Sequence, residues 1–246
     1  MPSDIVVRPL HALSEFQRCV QVAREVWGDA DLDTEPYITF VIADHTGGQV
    51  LGAYDGDLMV GFTKAYIGLH GTTPYLHSHM TGVLPSHRDR RVGRHLKLAQ
   101  REDALRRNIR LVEWTFDPLE TKNAHFNINR LGAIGRKYIP DFYGITTSPL
   151  HRSIPTDRLL VEWWLDSKRT VAAINDLTPE PRDCPAHVHL PTELEDWKSS
   201  DLDRVIEVQS RIRDEFISWF SKGYAVLGVR FTRAGVDYCL GPYSDF

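Results

Sequence analysis

The sequence is poor in sulfur, with three cysteines and three methionines in 246 residues. Cys19, Cys184 and Cys239 are odd in number and far apart, and no Cys-x-x-Cys pair occurs. Neither a disulfide framework nor a cysteine zinc site is indicated. Free thiols fit a reducing compartment. No apolar run approaches membrane-spanning length. The opening stretch MPSDIVVRPL lacks the basic start and long apolar core of a secretory signal. The expectation is a cytoplasmic protein with no membrane partner. No Gly-Lys-Ser/Thr and no Gly-x-Gly-x-x-Gly occurs, which excludes the Walker loop and the dinucleotide fingerprint. There is no internal repeat and no low-complexity tract.

What remains is an ordinary globular composition, 42% hydrophobic and 25% charged. The length fits one large domain, or one domain with a substantial appendage. A formal net charge of −4 argues against a general nucleic-acid binder. Against that balance, LPSHRDRRVGRHLKLAQREDALRR over 84–107 sets eight Lys or Arg against three acids. Charge alone favours a solvated helix face. A nucleic-acid patch lacks the interleaved aromatics that single strands require. A cradle for a phosphorylated small molecule is the third reading.

Residues 4–9 read as a short strand, and Phe16, Val20, Ala23 and Trp27 recur at helical spacing up to Gly28. Residues 35–44 form a second candidate helix. Two apolar runs flank Asp55-Gly56, a hairpin signal. Strand 75–84, helix 92–107, strand 109–116, helix 121–131 and strands 134–143 and 158–165 follow. Residues 166–200 carry prolines at 179, 181, 185 and 191 and read partly as a linker. An amphipathic helix at 201–222 ends at Gly223, and a terminal hairpin closes the chain. The fold class is α/β, mixed α+β, around one sheet.

The strand–loop–helix unit is suited to phosphate. A helix N-terminus presents unpaired N–H groups and partial positive charge. Cations there are unfavourable unless an anion offsets them. Arg88, Arg90 and Arg91 lie in the approach loop, Arg94 in the first turn, and Gly93 permits close backbone approach.

GVLPSHRDRRVGRHLKLAQRE resembles the acyl-coenzyme A loop and helix of the GNAT N-acyltransferase superfamily. The superfamily signature is Gln/Arg-x-x-Gly-x-Gly/Ala. Here it reads Arg-x-x-Arg-x-Gly on Arg88, Arg91 and Gly93, with Arg91 in place of the first glycine. EWTFDPLETKNAHFNINRLGA, 113–133, is similar to one GNAT subgroup, some members of which are linked to N-succinylation of amino acids. The close resemblance spans about 75–144.

The resemblance implies a GNAT domain over 1–165, with a central, mostly antiparallel sheet flanked by helices. A C-terminal extension over 166–246 would pack on or complete that sheet. It implies an N-acyltransferase in which an amine attacks acetyl-CoA or succinyl-CoA directly. The alternative is a catalytically altered acyl-CoA-binding or regulatory module. Cofactor contacts fall on Val83, Leu84, Arg88, Arg90, Arg91, Val92, Gly93, Arg94 and Asn123. Gly82, inside a strand pattern, marks a candidate bulge.

His77 and His79 alternate along one strand and share a face. His79 is the candidate base, for its position and its suitable pKa, and Glu113 competes with it. The position of the family's usual acid tyrosine is Ile128, so Tyr143, Tyr138 or water would protonate the thiolate. The histidines are equally readable as structural. A zinc reading of His-x-His at 77/79 and 187/189 lacks a carboxylate or cysteine pattern, and no metal is expected. Arg130, Arg136, Arg152 and Arg158 are candidate cations for an acceptor carboxylate. A homodimer is compatible with the terminal strands.

Overall fold

The structure, a computed structural model, describes residues 4–28, 35–144, 154–177 and 184–243. These divide into two compact units. The first holds the described residues up to 113, and the second holds 114–144, 154–177 and 184–243.

In the first unit the strands are β1 (Ile5–Pro9), β2 (Gln49–Asp55), β3 (Leu58–His70), β4 (Thr73–Val83) and β5 (Leu111–Phe116), which runs on past the division. They lie in chain order, antiparallel except for the parallel pair β4–β5. The Asp55-Gly56 hairpin is present, with Gly56 at φ 59°. The helices are α1 (Leu13–Trp27), α2 (Ile38–His45) and α3 (Val92–Arg106). The Glu15 carboxylate starts α1 by accepting the N–H groups of His11 and Ala12, which would otherwise be orphaned. Helix α1 buries Phe16, Cys19, Val22 and Ala23, and the core continues through Phe40, Met59 and Phe62. Each fully buried large side chain there contributes about 1.5–3 kcal/mol.

Strand parity assigns the two faces of the sheet. A Cβ at Gly82 would meet Trp27 of α1, whereas one at Gly61 would meet Val92 and Leu96 of α3. Helix α3 therefore covers one face, and α1 and α2 belong to the other.

The bulge in β4 is not at Gly82, which pairs regularly with Phe62. It lies at His79: Lys64 pairs with Met80 and Ala65 with Ser78, leaving His79 as the extra residue. An extra residue locally kinks a strand and re-aims its side chain. Gly82 is small because Trp27 and Phe62 crowd it.

In the second unit β6 (Ile134–Ile139), β7 (Arg158–Trp164), β8 (Ala186–Pro191), β9 (Tyr224–Thr232) and β10 (Gly235–Pro242) follow the order β7-β6-β9-β10-β8. Strand β9 pairs with β6, Gly135 opposite Val226. Helix α4 (Thr121–His125) runs into a π-helical turn at Phe126–Arg130 rather than continuing as one α-helix to 131. The described part of 166–200 holds α5 (Lys168–Ile174), β8 and α6 (Leu194–Ser200). It is more structured than its prolines suggest. The last helix is α7 (Leu202–Ser221). Buried Asp157 accepts from the Tyr138 hydroxyl at 2.7 Å and from Arg213 at 2.9 and 3.0 Å.

Cys184 and Cys239 form a disulfide. This corrects the expectation of three free thiols, and only Cys19 is free and buried. Sequence distance hid the pair, because β8 and β10 are neighbours in the sheet although Cys184 and Cys239 are 55 residues apart. The expected reducing compartment therefore loses its thiol argument. No helix of the described residues is long and apolar enough to cross a membrane.

Candidate active site

The β4–α3 junction begins with a short 3-10 turn at Pro85–His87. Two left-handed residues follow, Asp89 at φ 59° and Arg91 at φ 60°. Arg91 is the N-cap of α3, and no side chain caps that helix end. No acid lies in its first turn either. Among the described residues, no side chain accepts from the N–H groups of Val92 and Gly93, which lie beside Arg88, Arg91 and Arg94. The φ of Arg91 accounts for the signature glycine usual at that place: the turn needs a left-handed residue, which glycine adopts without steric cost. Here the turn is kept with arginine.

The arginines are not equivalent. Arg90 is drawn to Asp55 at 2.5 Å, where His87 also binds at 3.2 Å. Arg90 and then His87 hold the Asp55 carboxyl below its ordinary range, against a smaller effect of burial. Arg88 is exposed and reaches the Val83 carbonyl at 3.5 Å, and Arg91 is exposed. Val92 is buried and anchors α3 in the core. A Cβ on Gly93 would meet nothing nearer than Val83 Cγ2 at 3.9 Å, so packing does not require glycine there. The room beside its backbone suits close approach by an anion. Leu84 is buried, its N–H donates to the Val60 carbonyl, and its own carbonyl accepts from His87.

Strands β4 and β5 pair only at Leu76–Val112 and His77–Glu113. Among the described residues, Ser78 to Val83 have no β5 register partner. That length of β4 leads straight into the arginine loop. A backbone edge next to an uncapped helix N-terminus can bind an extended amide chain that ends in phosphate.

Across the sheet, pairing places Lys64, Tyr66, Gly68 and His70 on the same face as Met80, His77, Tyr75 and Glu113. His79 reaches this face through the bulge. Its ring lies 5.6 Å from that of Tyr66 and 6.3 Å from that of His77. Burial lowers the His79 pKa from its ordinary value, Glu35 opposes that shift, and Lys64 adds to it. The imidazole is therefore neutral at pH 7, with a lone pair to accept a proton. The His77 pKa is also lowered, by burial and then by His79 and Lys97. Glu113 is buried and binds His70 at 2.8 Å, and His70 stacks on Tyr75.

Two buried lysines complete the surroundings. Lys64 lies 2.5 Å from Glu35 and bonds Thr39 and Tyr66. Lys97 of α3 bonds Ser78 at 2.7 Å and Gln100 at 3.0 Å beneath the bulge. Burial pushes the Lys97 ammonium down to about 7. Sequence reading missed Glu35, Lys64 and Lys97. A lysine inside the apolar run LMVGFTKAYIGL was the available signal for Lys64.

The acetyltransferase (GNAT) family model matches residues 11–132, about half of the chain. The chain belongs to the GNAT superfamily. Solved structures share the fold at low identity. A GNAT-family protein from Desulfovibrio desulfuricans is 14% identical, with 66% of this chain and 99% of that chain covered at a TM-score of 0.54. NAA60 from Arabidopsis thaliana in complex with acetyl-CoA is 16% identical, covering 65% and 99%, with a TM-score of 0.53. The ribosomal-protein-S18-alanine N-acetyltransferase from Escherichia coli is 12% identical, covering 67% and 96%, with a TM-score of 0.52. No curated protein sequence matches the chain significantly.

Other residues expected from the GNAT resemblance lie in the second unit. Asn123 is exposed on α4, where its Oδ1 accepts from Asn127 at 3.3 Å. Tyr143 is exposed beside Phe142, with the Arg158 guanidinium 5.1 Å from its ring centroid. Ile128, at the position of the usual GNAT acid, is fully buried in the π-helical turn. Tyr138 is buried and donates to Asp157, which with burial pushes its hydroxyl far above the ordinary range. Of the acceptor-carboxylate candidates, Arg130 pairs with Asp176, Arg136 with Glu162 and Arg158 with Asp117. Arg152 lies outside the described residues. In the second His-x-His, His189 binds Asp237 at 2.8 Å.

Proposed function

We propose that this GNAT protein transfers an acyl group, acetyl or succinyl, from coenzyme A to the amine of a small molecule, amino acids included. The observation that carries this reading is the α3 N-terminus, set by left-handed Arg91, beside the length of β4 that has no described β5 register partner. Its groups fit an acyl-coenzyme A. Arg88, Arg91 and the amides of Val92, Gly93 and Arg94 would hold the phosphates. The β4 edge from Ser78 to Val83, with Leu84 just beyond it, would follow the pantetheine. When bound, acyl-CoA supplies a thioester whose carbon an amine can attack.

His79 is the base of the proposal. Its neutral imidazole takes a proton from the acceptor ammonium as the C–N bond forms and the C–S bond breaks. Glu113 is the competing base, but its bond to His70 occupies one carboxylate oxygen. Water returns a proton to the thiolate. The test is thiol release from acetyl- and succinyl-CoA over a panel of amines, with mass spectrometry of the products. His79→Gln is expected to abolish most turnover while leaving acyl-CoA binding unchanged.

A second reading follows from Ile128, which puts a buried alkyl group where the family's acid would stand. In it, the protein is a catalytically altered module that binds acyl-CoA or regulates through it. Binding without thiol release across the amine panel would select this reading.

A further inference from the structure

The group of polar side chains around Lys64 has no task in the mechanism above. Lys64 is fully buried, and a buried ammonium is costly unless it is paired. Its partner, Glu35, comes from the segment leading into α2. Glu35 Oε2 faces Lys64 at 2.5 Å, and Oε1 accepts from the Tyr66 hydroxyl at 3.0 Å. Thr39 of α2 accepts from Lys64 at 3.1 Å. The carboxylate is thus fixed on both oxygens. Burial raises its pKa, but Lys64, His79 and Tyr66 together hold it below the ordinary carboxylate range. It is ionised at neutral pH.

The same Oε2 lies 3.6 Å from Nε2 of His79. This is within ion-pair range and just beyond a direct hydrogen bond. His79 is the bulged residue of β4, so no regular register fixes its ring. Its charged neighbours are Glu35 from the α2 approach, Lys64 from β3 and His77 from β4, with the Tyr66 ring from β3. Glu35 is the sole anion among those described neighbours. An anion beside Nε2 favours the tautomer with its proton on Nε2, and Nδ1 then carries the open lone pair.

We propose that Glu35, locked by Lys64 and Tyr66, is the positioning residue that orients the His79 imidazole and balances the charge it takes up. A proton leaving the acceptor ammonium enters Nδ1, and the resulting imidazolium keeps its Nε2–H against Glu35. Lys64 keeps Glu35 in place and ionised. The inference rests on the reading of His79 as the base. It adds the device by which a histidine in a strand bulge keeps one orientation.

The experiment is ¹⁵N NMR of the full chain with labelled histidine, for wild type and Glu35→Gln, alongside the pH profile of kcat/KM. The wild type is expected to show His79 mainly as the Nε2–H tautomer. In Glu35→Gln that preference is lost, the His79 pKa falls by about one unit, and the acid limb moves down with it. At the profile's plateau kcat falls about tenfold, and the KM for acyl-CoA is unchanged. The Glu35→Gln change leaves Lys64 without an anion and can impair folding. The double variant Glu35→Gln with Lys64→Met removes both charges and keeps the volume, and it must lose the same tautomer preference. An unchanged tautomer and titration in these variants would overturn the inference. A shifted titration with an unmoved acid limb would instead overturn the assignment of His79 as base.

Discussion

Arg91→Gly separates the two roles of the α3 N-cap. Arg91 sits at φ 60° and ψ 15° with no side-chain cap. A left-handed non-glycine residue costs about 1 kcal/mol. A cation at a helix N-terminus costs about 0.5 kcal/mol more. The added freedom of glycine in the unfolded chain takes back roughly 0.7 kcal/mol. The apo protein is therefore stabilised by about 0.8 kcal/mol, a rise of roughly 2 °C in Tm for a chain of this size. Ligand binding moves the other way. Losing one exposed charge-assisted contact to phosphate costs about 1 kcal/mol, or roughly fivefold in Kd. The affinity should also depend less steeply on salt. Arg91→Ala loses the charge but keeps the left-handed strain, so it should weaken binding without the full stability gain. Calorimetry with acetyl-CoA and a thermal melt of each variant read both effects. An Arg91→Gly protein that is less stable than wild type would refute the strain reasoning. One that binds acetyl-CoA unchanged would refute the phosphate contact.

Three further outcomes follow from the structure. His79→Gln should lower kcat by about 10²–10³-fold, the usual range for a lost general base, with an unchanged melting curve. Because burial lowers the Lys97 pKa from 10.5 to about 7, the unfolded chain binds more protons across that window. Stability should therefore rise with pH between those values, by up to about 1.4 kcal/mol per pH unit, and Lys97→Met should flatten the slope in denaturant titrations. The Cys184–Cys239 disulfide closes a loop across 55 positions of sequence, worth about 4 kcal/mol in the chain-entropy account. Reduction with dithiothreitol should lower Tm by on the order of 10 °C, and Cys184→Ser should remove that sensitivity.

Local pattern reached far into the fold. The spacing of Phe16, Ala23 and Trp27 found α1, Asp55-Gly56 found the β2–β3 hairpin, and the arginine loop found the start of α3. The hidden features were tertiary. The β4 bulge lies at His79 because of how β3 pairs with β4, and glycine content pointed instead to Gly82. Glu35 and Lys64 meet although 29 positions of sequence separate them from one another, and neither spacing nor charge pattern marks such a pair. The disulfide joins the segment before β8 to β10 for the same reason. The π-helical turn at Phe126–Arg130 looked like ordinary helix, since one extra residue per turn hardly disturbs apolar spacing over so short a stretch.

The proposed chemistry is acyl transfer from a coenzyme A held at the β4–α3 junction. The most direct measurement is amine-dependent thiol release from acetyl-CoA and succinyl-CoA by the full chain, with mass spectrometry of the acylated product. Release is expected with at least one small amine, weakened by Arg91→Ala and largely abolished by His79→Gln. An absence of amine-dependent thiol release and of any acylated product across the amine panel would contradict it.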